Sequence, residues 1–185
     1  MNNFKKVWVY AEPLLKKGIK KDFVLHTRGV VKAIEIICKT EKGNINLLIP
    51  AAILHDIGWS KVPIELQRSK KDKEKSKALK LHIEYAPGLI AKILSKLNYD
   101  KKVINKIIDI VNSHKFSKPR DINKRILIDA DALSDAFKEQ FRSDAKSYKL
   151  GYDELAAFRI RNNKFYTTTA KLIFDKEISK RVLSK

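Results

Sequence analysis

Cysteine is nearly absent: the one thiol in 185 residues, Cys38, excludes an internal disulfide and sits in the apolar stretch Ala33–Cys38, where a buried free thiol is structural. Glycine (6) and proline (5) are scarce, and strand-like alternation is rare, which leaves little support for a sheet protein. Long apolar runs are missing too. The longest, Leu47–Leu54, falls far short of the roughly 20 residues a membrane span needs, and Met1-Asn2-Asn3-Phe4 has no signal-peptide pattern. These absences predict a chain without a membrane partner, located in the cytoplasm. Acidic residues are in short supply as well: 21 Asp and Glu face 40 Lys and Arg, a net charge of +19. Such a surface attracts polyanions. Only 8 of the 40 cations are Arg, however, they are scattered around helical faces, and no nucleic-acid motif accompanies them. Charge admits a nucleic-acid partner, but a lysine-rich composition is the plainer explanation.

What remains is a globular balance of 44% hydrophobic and 33% charged residues, suited to one domain spanning 1–185 with its own core. Apolar residues recur at helical spacing through most of the chain, so the expected fold is all-α, a bundle of roughly seven to nine helices. A first helix covers 23–38, with His26, Val30, Ala33 and Ile37 on one face. Asn46 is expected to cap a second, Leu47–Ile57, with Pro50 in its first turn and Gly58 marking its end. Being apolar nearly all round, it reads as the buried central helix, yet it ends in His55 and Asp56. Residues 60–80 are dense in charge and read as a surface loop followed by a solvated helical stretch. Further helices are expected over His82–Leu97, over Asp100–His114, from near Asn123, and over Asp153–Arg161 and Tyr166–Val182. The C-terminal part, 138–185, shows no obvious chemistry.

All four histidines, His26, His55, His82 and His114, fall at the ends or inward stripes of separate expected helices. A carboxylate on an apolar helix costs several kcal/mol to bury unless it is paired or bound to a cation. Asp56 has no basic residue within the preceding turn, and the nearest following one is Lys61. A divalent cation is its simplest partner. Imidazole and carboxylate together suit Mn, Fe, Co, Ni or Zn, whereas Mg and Ca favour oxygen alone.

The segments LHTRGVV, AAILHDIG, LHIEYAPGLIAKIL, IVNSHKF and ILIDADALSDAF, in that order over about 23–137, resemble the HD-domain metal-dependent phosphohydrolases. Nearest in pattern are small stand-alone HD hydrolases with a DADxL helix. The resemblance implies metal ligation by His26, His55, Asp56 and Asp131, with Asp129 the weaker alternative to Asp131. It also places His82 and His114 where a second metal would be held, so one or two ions are implied. If there is only one, these histidines would contact phosphate or move protons. The implied activity is hydrolysis of a phosphate ester, within that class a nucleotide, by metal-bound hydroxide. Arg28 and Lys61 are candidates for phosphoryl-charge stabilisation because they lie near the ligands in sequence. Trp59 stands where many relatives have lysine, and the second histidine and GYP triplet of the cyclic-dinucleotide phosphodiesterases are missing. A phosphodiesterase or dinucleoside-polyphosphate hydrolase remains an alternative, as does a non-catalytic nucleic-acid-binding or ligand-sensing module on the same scaffold. The oligomeric state is not legible.

Overall fold

The computed structural model describes residues 3–18, 23–115 and 118–183. Among them are ten α-helices and no strand: α1 Asn3–Leu15, α2 Phe23–Ile37, α3 Ile45–Leu54, α4 Ile64–Arg68, α5 Asp72–Lys96, α6 Lys101–Asn112, α7 Ile122–Ser134, α8 Lys138–Tyr148, α9 Tyr152–Asn162 and α10 Thr168–Leu183. A 3-10 turn, Ile57–Lys61, follows α3. The all-α expectation holds, and no described helix is long and apolar enough to cross a membrane.

Helix α3 occupies the centre, with every residue from Leu48 to Leu54 buried. It packs against α1, α2, α6 and α7. Its start differs from the sequence expectation: Asn44, not Asn46, is the cap, its side chain accepting a hydrogen bond from the Asn46 N–H. Pro50 is therefore the sixth helical residue rather than a first-turn one. The helix also stops at Leu54, earlier than expected, so His55 and Asp56 lie just beyond its last turn. Directly after them comes Gly58, packed so closely on α5 that a Cβ there would sit 2.0 Å from the His82 carbonyl oxygen. Only glycine fits this approach, which brings His82 against the HDIG segment.

Helix α5 begins ten residues before the expected His82, inside the charged run. Its buried stripe Ala78, His82, Ala86, Ile90 and Ile93 is regular, but the first turns are solvated and mask it in the sequence. Three helices fill the C-terminal part, where two were expected. Asp129 on α7 anchors the last of them: its carboxylate accepts from the Tyr166 N–H (2.8 Å), the Thr167 N–H (2.7 Å) and the Thr167 hydroxyl (2.7 Å), just ahead of α10. Asp129→Ala strips three donors of their acceptor and should lower stability by about 1–3 kcal/mol. Metal content should stay at the wild-type level, which elemental analysis of the purified variant checks.

Candidate metal centre

Three of the four histidines have the tautomer they need imposed by the backbone or a hydroxyl. His55 follows the last turn of α3, and its Nδ1–H donates to the Ala52 carbonyl at 2.7 Å, one of the carbonyls a helix end leaves without a partner. His114 does the same after α6, donating from Nδ1 to Val111 O. On α2, His26 Nδ1 lies 3.1 Å from Ser134 Oγ; that hydroxyl gives its own proton to Asp131 O, so it accepts from the imidazole. In each ring the proton is held at Nδ1, leaving the Nε2 lone pair directed at the site.

These lone pairs meet carboxylates. His26 Nε2 is 3.0 Å from Asp131 Oδ1 and 3.8 Å from Asp56 Oδ2; His55 Nε2 is 3.3 Å from Asp56 Oδ2 and 3.8 Å from Asp131 Oδ1. His82 Nε2 lies 3.7 Å from Asp56 Oδ1 and 3.3 Å from His114 Nε2. Two clusters result, His26–His55–Asp56 and Asp56–His82–His114, joined at Asp56. Acceptor facing acceptor is stable only with positive charge between them. His55 Nε2, fully buried, has no hydrogen-bond partner, as expected of a nitrogen whose partner is a cation. The negative ends of α3 and α6 converge on the same point and favour the same charge. The donor set, imidazole nitrogen and carboxylate oxygen, fits a first-row transition metal.

Asp131 is at this cluster, and Asp129, two residues away, is turned to α10. Arg28 and Lys61 are elsewhere. Arg28 is exposed with its guanidinium over the Trp8 ring, because a residue two positions from His26 on a helix points to another side. Lys61 is exposed at the end of the 3-10 turn. The cation beside the cluster is Lys115, whose ammonium pairs with Asp131 Oδ2. The sequence signal for it was adjacency to His114 in a loop, where neighbours can reach one site. Also unanticipated is a set behind His26: Asp135 Oδ1 is 3.7 Å from His26 Nδ1, and Arg159 joins Asp135 (2.6 Å) to Asp144 (2.5 Å). Asp135 was findable, lying one turn after Asp131; Arg159 and Asp144 come from α9 and α8 with no local pattern to mark them. Trp59 stacks on His82, ring centroids 4.8 Å apart and 9° from parallel.

Burial pushes the His82 imidazole down to about 4 and His114 well below its ordinary value, so both rings are neutral in the metal-free protein. Burial opposes charge on Asp56, but His55, His82 and His26 outweigh it, and its pKa falls well below the usual carboxylate range. Burial acts likewise on Asp131, where Lys115 and His26 prevail. Burial disfavours the Lys115 ammonium as well, and Asp131 and Asp56 more than compensate, keeping it charged. For His55, Asp56 and Asp131 overcome burial and raise the pKa.

A pH dependence follows for the metal-free protein. Below about pH 6.5 the unfolded chain takes up protons at His82 and His114 while the folded chain does not, so stability is lost from pH 6.5 down to about 4. Asp56 and Asp131, depressed when folded, extend the loss below pH 4. His55 and the raised carboxyls of Asp129 and Asp135 run the other way, their contributions being lost as pH rises through their raised values. His82, lowered to about 4, with His114, Asp56 and Asp131, all held well below their ordinary values, outweigh them and predict a melting temperature in EDTA that falls from pH 7 to pH 4; a flat profile would contradict the buried neutral state of the pair.

Among the described residues an all-helical fold gathers imidazoles and carboxylates from α2, α5, α7 and the ends of α3 and α6 around one point that could hold a metal ion. Residues 23–136 match the HD domain, and the chain belongs to the HD-domain family. Members of this family are in general metal-dependent hydrolases. No curated protein and no solved structure matches the chain.

Proposed function

We propose that the protein is a phosphohydrolase that cleaves a phosphate ester at a site of up to two transition-metal ions. The observation that carries this reading is Asp56, whose two carboxylate oxygens face different histidine clusters. His26, His55, Asp56 and Asp131 would hold the first ion; Asp56, His82 and His114 would hold a second. When bound, such ions lower the pKa of a coordinated water to about 7 and neutralise charge on phosphoryl oxygens.

The chain's own groups do the rest. Lys115, partly exposed and lining the cavity over the cluster, is placed to meet a phosphoryl oxygen with a fixed positive charge. The hydrogen bonds from His55 and His114 to backbone carbonyls hold both rings rigidly, and Ser134 holds His26. Trp59 covers the face of His82 and keeps it from turning. The two positions are unequal. His82 Nδ1 is buried with no partner, so protonating it to free Nε2 for a metal leaves a donor unsatisfied. The second ion is accordingly the weaker one.

Phosphate release from a panel of phosphate monoesters, with cyclic and bis-nucleotides alongside, tests the reading in protein loaded with Mn, Fe, Co, Ni or Zn. Turnover that disappears with chelator and with Asp131→Asn supports it. Salt-dependent RNA binding that persists in His55→Ala, with no ester cleaved, would replace it with a binding module.

A further inference from the structure

Asp135, the residue that caps α7, lies behind the metal cluster rather than in it. Its Oδ1 is 3.7 Å from His26 Nδ1, the ring nitrogen away from the Nε2 that meets Asp131 and Asp56. Ser134 Oγ, at 3.1 Å, accepts the Nδ1 hydrogen, and 3.7 Å is too long for a second bond. What Asp135 supplies is negative charge facing the imidazole N–H, at a largely buried position where water screens it little. A carboxylate behind a ligating histidine orients the ring and makes its other nitrogen a stronger donor to a metal.

That charge is held in place from outside the family match. Arg159 on α9 donates from Nη1 to Asp135 Oδ2 (2.6 Å) and from Nη2 to Asp144 Oδ2 on α8 (2.5 Å). Gln140 fixes Asp144 from its other side, Nε2 to Oδ1 at 3.0 Å. Arg159 and Asp144 both fall beyond residue 136, where the HD match ends. By occupying Asp135 Oδ2, the guanidinium leaves Oδ1 directed at His26. Arg159 Nε is buried with no hydrogen-bond partner, a loss of about 1–3 kcal/mol that accompanies aiming both end nitrogens at carboxylates on different helices.

We propose that Asp135, held by Arg159, is a positioning residue for the metal ligand His26, so that α8 and α9 set how tightly the first ion binds. The proposal rests on the metal ligation in the reading above and not on ester cleavage. Zinc is titrated into the metal-stripped full chain at neutral pH in competition with a chromogenic chelator. Asp135→Asn should weaken the tightest step about tenfold or more, and Arg159→Gln, which frees the same carboxylate, should weaken it too. Asp135→Glu keeps the charge and should bind zinc more tightly than Asp135→Asn. Asp144→Asn cuts the other arm of the fork and should lower the melting temperature while zinc affinity stays at the wild-type level. In zinc-loaded protein the His26 Nδ1 proton resonance should move in Asp135→Asn and stay in place in Asp144→Asn, a contrast that lost stability by itself does not produce. Wild-type affinity in Asp135→Asn, or equal losses in Asp135→Asn and Asp144→Asn, overturns the positioning role. If Asp135→Asn does not fold, Arg159→Gln set against Asp144→Asn decides the matter in the same way. Zinc held more weakly only in the Asp135 and Arg159 variants, with no ester cleaved even by the wild type, upholds the positioning role and removes the hydrolase reading alone.

Discussion

Asp56→Ala should emerge from purification with no stoichiometric metal, whereas His82→Ala should keep one ion and the wild-type protein two. The difference follows from which oxygen faces what. Asp56 Oδ2 lies toward His55 and His26, and Oδ1 toward His82, so one residue serves both positions. Deleting it removes the charge that makes either cluster attractive to a cation. Deleting His82 leaves His26, His55, Asp56 and Asp131 intact. Asp56→Asn should resemble Asp56→Ala, since a neutral amide keeps the shape without the charge. Elemental analysis of protein purified without chelator or affinity-tag metal gives the three stoichiometries directly. Full metal in Asp56→Ala would remove the shared carboxylate from the ligand set. The orphaned His82 Nδ1 adds a finer expectation: in wild-type protein, dilute chelator should strip the two ions in separate steps.

How much of this was legible in the sequence depended on whether a residue's neighbours along the chain were also its neighbours in space. His26 and His82 fall on regular inward stripes, and His55 and Asp56 end a helix apolar on every side, so their burial could be read from spacing. Arg28 is close to His26 in sequence, but helical rotation carries it to another face. Lys115 shares a loop with His114, where that rotation does not apply. Helix α8 left no signal because its inward face is half polar: Gln140 and Asp144 are buried beside Phe141 and Ala145. Asp144 is met there by Arg159 from another helix, and Gln140 in turn donates to Asp144, a pairing no local pattern contains. The α1 stripe Val7, Ala11 and Leu15 has proper helical spacing and was legible, although no expected helix covered it.

Arg159→Ala should be the most destabilising single change outside the metal ligands. The arginine side chain is 12% exposed and its partners Asp135 and Asp144 are 19% and 10% exposed, so truncation leaves two carboxylates largely buried without their cation. Removing one member of a buried ion pair costs about 3–5 kcal/mol. At roughly 2–4 °C per kcal/mol for a domain of this size, the melting temperature should drop by about 6–20 °C. Arg159→Lys should recover little, because a single ammonium cannot reproduce a fork spanning two acceptors on different helices. The deficit should also depend on pH in a defined direction. Burial already raises the Asp135 pKa, with Arg159 the main force opposing it. Without the guanidinium it rises further, and a carboxyl whose folded pKa is raised is more favourable protonated and loses stability as pH climbs through that value. The gap between variant and wild type should therefore be wider at pH 8 than at pH 5, although wild type itself weakens on acidification. Melting curves of both proteins at the two pH values decide it. A gap that is small, or that widens at pH 5, would mean that Asp135 and Asp144 find water or other donors when the arginine is gone, and that α9 is not tied to the site through this fork.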